Sequence, residues 1–183
     1  MGRLKFMKYQ DCAEALQAVE DWSEGATTGA ARLSDANINP RSGLATDYLN
    51  HFNEAIMLLE MLASSPDCVA DFLAWQPLTY REHFLVSRFK DRFMAIAAYD
   101  AAEPAVRECI DMLAGTMIAV LEATRTAMRA HLPREAAQQL ARQTVEALKP
   151  TLARAGAVIN GEGETAPGGF ATPQAEVDRL MKP

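Results

Sequence analysis

PAVRECIDMLAGTMIAVLEATRTAMRAH, residues 104–131, decides the fold. Val106, Ile110, Leu113, Met117, Val120, Leu121 and Met128 recur in steps of three and four, which brings side chains onto one side of an α-helix. Pro104 suits a first helical position, where the N–H it lacks has no partner anyway. His131 closes the stretch where a cation or donor meets the last carbonyls. This is one long amphipathic helix.

Working toward the C-terminus, Pro133 opens a second long helix in which Ala137, Leu140, Ala141, Val145, Leu148 and Leu152 continue the pattern. Pro150 is expected to kink or end it, because proline removes a donor and clashes with the preceding turn. From Gly156 the composition shifts to glycine: Gly156, Gly161, Gly163, Gly168 and Gly169, with Pro167, predict a flexible tether. Beyond it Thr172-Pro173 reads as a cap followed by a first-turn proline, and Val177, Leu180 and Met181 give a short apolar face. A helix that short does not hold alone, so residues 172–182 are expected to dock, with a protein partner as one candidate. The organisation is a helical domain over residues 1–155 and a tail over 156–183.

Toward the N-terminus, Thr79-Tyr80-Arg81-Glu82 is a capping box. The helix it opens is expected to run to about residue 101, with Leu85, Val86, Phe89, Phe93, Ile96 and Ala97 on one face. Ser65-Pro66-Asp67 starts a short helix ending near Trp75. Thr46 is a candidate N-cap, with Asp47 in the first turn, for a helix to about residue 63. Residues 23–42, rich in Gly, Ala, Thr, Ser, Asn and Asp, read as a long connection with a short turn at 30–33. Cys12, Leu16, Val19 and Trp22 mark a further amphipathic helix over 9–22. The fold class is all-α: an antiparallel helical bundle of four main helices plus one or two short ones.

Composition removes several function classes. With 49% apolar and 23% charged residues the chain has an ordinary globular make-up. No apolar run reaches the roughly 18 to 20 residues of a membrane span, and the basic start is followed by Tyr9, Gln10 and Asp11 rather than the apolar core of a secretory signal. Phe6 stands where a myristoylation motif wants Ser or Thr. The net charge is −6, the Lys and Arg residues are scattered, and no helix is expected to show a basic stripe with aromatics between the charges, which argues against nucleic acid. Cys12, Cys68 and Cys109 are odd in number and form no CxxC pair, the usage of buried thiols in a reduced, cytoplasmic setting. Phosphate loops, dinucleotide fingerprints, nucleophile elbows, HExxH and ExxH are all absent from the sequence.

One constellation carries possible chemistry. His51 falls at the edge of the apolar arc formed by Tyr48, Phe52, Ala55, Leu58, Leu59 and Leu62, with Asp47 and Glu54 on the same flank. On the capping-box helix Glu82 is expected to point toward the apolar face and His83 toward its border. If the two helices pack side by side, Asp47, His51, Glu54, Glu82 and His83 converge. Two imidazoles with two or three carboxylates suit Fe, Mn or Zn. The competing reading is structural: Glu82 is needed by the cap, and His51 is a core histidine hydrogen-bonded by Asp47 or Glu54. Met57, Met61 and Met112 fall away from the main stripes and imply a second buried face, under another helix or in a dimer interface. The leading expectation is therefore a non-enzymatic interaction or regulatory module acting as a homodimer. The alternative is a bundle binding a divalent transition metal or small ligand at the five-residue cluster, with oxidoreductase chemistry in reach.

Overall fold

A computed structural model describes residues 26–62, 68–130, 132–162 and 177–178. The helix expected over 9–22, the cap at Ser65-Pro66-Asp67, His131 and nearly all of the tail, including the docking element at 172–182 apart from Val177 and Asp178, lie outside the described residues. Among the described residues the fold is all-helical, its one strand-like feature being an isolated antiparallel bridge between Ile38 and Ala45. The helices are α1 (Ala26–Asp35), α2 (Tyr48–Met61), α3 (Cys68–Ala74), α4 (Tyr80–Val86), α5 (Arg92–Ala101), α6 (Pro104–Arg129) and α7 (Arg134–Ile159).

The two long helices form the centre. Every residue of the stripe that begins at Val106 and ends at Met128 is buried, and α6 packs along α7. Midway, the hydroxyls of Thr124 and Thr144 meet at 2.8 Å while each also faces the carbonyl four residues back. Two hydroxyl hydrogens serve three contacts, so one of the three goes without a hydrogen at any instant.

Pro150 does not end α7, which continues to Ile159. Pro150 lies on the exposed side, so the carbonyl deprived of its donor can turn to water, and burial on both sides of it (Val145, Leu148; Ala155, Val158, Ile159) holds the axis. The helix also passes Gly156, where the tether was expected to begin, and stops at Gly161. There a left-handed φ of +69° lets Glu162 N–H reach the Ala157 carbonyl and Gly161 N–H the Val158 carbonyl.

α2 runs beside α7 in the opposite sense, with Leu49 against Gly156 and Glu60 near Lys149. α3 packs on both α2 and α6. Arg125 of α6, only 2% exposed, fastens that junction: its Nη2 donates to the Leu73 carbonyl near the end of α3, and its Nη1 pairs with Glu122. Its Nε–H has no partner among the described residues.

Two further expectations are corrected. The helix opened by the capping box stops after two turns: Ser87 is extended, its Oγ donates to the Phe84 carbonyl and accepts from Phe89 N–H, and a new helix, α5, starts at Arg92. The break lets Phe84 and Phe89 meet edge to face at 5.2 Å; in exchange Leu85 and Val86, expected on the buried face, stand outside at 43% and 70% exposure.

The 23–42 connection is not structureless either. It contains α1, closed by Asn37 at φ +56° with Ile38 N–H on the Leu33 carbonyl and Asn37 N–H on the Ser34 carbonyl. A tight loop follows: the Asn39 side-chain oxygen accepts from the N–H groups of Arg41 and Ser42, and Gly43 N–H bonds the Asn39 carbonyl. Ser42 Oγ donates to the Ile159 carbonyl. Gly43, at φ +72°, lies so close to α5 that a Cβ would stand 2.8 Å from the Ala98 carbonyl oxygen. The loop thereby ties the end of α7 to α5.

Candidate functional site

Trp75 follows α3, and Pro77 keeps the next residues out of helix until the capping box restarts it at Tyr80. The result is an extended strap, residues 75–79, crossing the first turns of α2. A strap has no helical ladder for its backbone, so its polar groups need partners elsewhere. α2 supplies them. Leu78 N–H donates to His51 Nε2 at 3.2 Å, the Leu78 carbonyl accepts from Tyr48 OH at 3.0 Å, and Trp75 Nε1–H donates to the His51 carbonyl at 3.2 Å. The His51 ring lies flat on the Trp75 indole, 4.6 Å between centroids.

The first of these bonds fixes the chemistry of His51. A backbone N–H is a permanent donor, so Nε2 must keep its lone pair and the ring proton must sit on Nδ1. A proton on Nε2 would face the Leu78 N–H head on. Burial, and the charge of neighbouring His83, accordingly push the His51 pKa down to about 4, against a hydrogen bond with the Gln76 backbone.

His83, on the buried side of α4, reaches Asp47 at the head of α2: Nε2 to Oδ2 is 3.1 Å. Asp47 does not cap α2 with its side chain, and Thr46 is not its cap residue; the carboxylate takes His83 and the Asn50 side-chain amide instead. Beneath them Tyr48, Tyr80, Phe84 and the two imidazoles pack mostly edge to face, Tyr80 stacks on Tyr99, and Tyr80 OH accepts from Ala45 N–H. Burial, first of several causes, raises the phenol pKa of Tyr48, Tyr80 and Tyr99, so each stays neutral; at Tyr99 the Asp111 carboxylate, 2.7 Å from its OH, adds to the effect.

Of the five residues singled out from sequence, the structure gathers Asp47, His51 and His83 around one junction, with the imidazole centroids 5.9 Å apart. Glu82 is not aimed at the apolar face. It is exposed and folds back on its own cap, Oε2 accepting from Thr79 N–H and Oγ1, bonds that lower its pKa. Glu54 is exposed on α2. At about 100° per residue it stands some 60° outside His51, beyond the border rather than on it. Among the described residues no three histidine, cysteine or carboxylate side chains are placed to hold a metal ion.

The residues that sequence reading passed over are Trp75 and Leu78. Their signal was Trp-Gln-Pro after a helix, an indole donor in need of an acceptor next to a forced extension. Compared with known protein families, curated proteins and solved structures, the chain matches none. No helix among the described residues is long and apolar enough to cross a membrane.

Proposed function

We propose that this chain is a non-enzymatic interaction module that works by presenting fixed helix faces, and that it does so as a homodimer. One contrast carries the reading: the polar groups of the junction are spent on holding the fold, and large aliphatic side chains stand in solvent. His51, Tyr48, Tyr80 and Trp75 each hold a backbone group of the strap, the 38–46 loop or α2, and Glu82 serves its cap. Outside, Met57 is 51% exposed, Leu85 43% and Val86 70%. Burying a fully exposed side chain of that size is worth on the order of 1.5–3 kcal/mol; these three, about half exposed or more, retain a corresponding share of that driving force for association. The setting is the cytoplasm, where the buried free thiols of Cys68 and Cys109 stay reduced.

Sedimentation equilibrium at micromolar concentration tests the reading. A mass of twice the 20.0 kDa of one chain is expected. A single-chain mass at every concentration would overturn it.

A further inference from the structure

The break after Val86 produces an elbow, residues 85–92, that begins with two aliphatic side chains and continues with a run of cations. Val86 and Leu85 are two of the most exposed large aliphatic side chains described. Directly after them come Arg88 and Lys90, both exposed and neither in an ion pair with any described residue. Over residues 87–92 three cations, Arg88, Lys90 and Arg92, face one carboxylate, Asp91, in a chain whose net charge is −6. The elbow is built firmly: Ser87 Oγ bridges Phe84 and Phe89, the two phenyl rings meet below it, and the Arg92 guanidinium lies 4.8 Å over the Phe93 ring. It is a presented corner, apolar at its tip and basic at its flank.

The same chain carries the matching surface. The outer side of α2 exposes Met57 one turn after Glu54, and Glu54 has no ion pair among the described residues. That ridge is apolar and acidic where the elbow is apolar and basic. Two net-acidic copies repel each other over most of their surfaces, so a contact between them is favoured where a basic corner such as this one meets an acidic face.

We propose that two copies associate by seating the elbow of each, Leu85 and Val86 with Arg88 and Lys90, on the outer side of α2 of the other, Met57 with Glu54. The proposal rests on the homodimer reading and names its surface. Around a two-fold axis both contacts form at once and the assembly closes as a dimer.

Two variants test it: Arg88→Glu with Lys90→Glu, which makes the elbow acidic, and Glu54→Lys, which makes the ridge basic. The side chains are exposed, so unchanged thermal melting serves as the control for folding. In sedimentation equilibrium each variant alone is expected to dimerise at least about tenfold more weakly than the wild type, since like charges then face each other. Mixed one to one, they are expected to regain wild-type affinity, because every elbow then meets a ridge of opposite sign. Two variants that dimerise as tightly as the wild type would overturn the proposed surface and leave the homodimer standing. A wild type that is monomeric throughout would remove both. A monomeric wild type that pellets with phosphatidylserine vesicles, while the acidic-elbow variant does not, would overturn the proposal by assigning the elbow to an anionic membrane.

Discussion

His51 has one ring nitrogen committed to a backbone N–H and one face laid on an indole, and the first of these commitments fails when the ring is protonated. The sign of the consequence follows from its pKa, which folding lowers from 6.5 to about 4. Between those values the unfolded chain binds the proton and the folded one does not, so stability rises with pH. The contribution is complete above pH 6.5 and is lost as pH falls toward 4, on the order of 3 kcal/mol in all. His51→Gln keeps an oxygen that can accept from Leu78 and has nothing to titrate. Urea midpoints for wild type and variant, measured from pH 7.5 to 4, are expected to converge as the pH drops. Parallel curves would show that His51 is not the group responsible.

At the scale of elements, end signals carried by local chemistry were legible and those set by packing were not. The capping box is present with both of its bonds, and Pro104 opens α6 where expected. Asn37 and the 26–35 helix were missed because their apolar content is low; α1 is positioned through Leu33, Ala36 and Ile38, which become buried only against the rest of the fold. The break at Ser87 was missed because the apolar spacing across it mimics one continuous helix. Pro150 was over-read: exposure on one side and burial on both flanks carry α7 through it. The proline still leaves the Glu146 carbonyl without an intrahelical donor. Pro150→Ala is therefore expected to raise stability by between about 1 and 3 kcal/mol, the helix-interior penalty less the entropy proline removes from the unfolded chain. An unchanged or lower urea midpoint would mean that the helix is already relaxed around the ring.

Across the described residues, the histidines and tyrosines of α2 and α4 are turned inward while Met57, Leu85 and Val86 stand in solvent. The strap at 75–79, the loop at 38–46 and the tyrosine cluster interlock around the start of α2, so that α3, α4, α5 and the end of α7 are all fastened near one place. Part of this site was legible: Asp47, His51 and His83 lie toward the apolar sides of two helices that pack together, joined through α3 and the strap. The rest was not, because the partners of His51 belong to an extended segment that no periodicity describes, and because Glu82 serves its own cap. Whether the histidines fasten the fold, His51 through backbone and His83 through Asp47, or await a ligand is read most directly from long-range proton–nitrogen NMR spectra of the imidazoles at neutral pH, recorded before and after one equivalent of zinc. A neutral His51 with its proton on Nδ1, unmoved by zinc, is the expected result. A proton on Nε2, or stoichiometric zinc shifts at both His51 and His83, would contradict it and return the cluster to the metal reading.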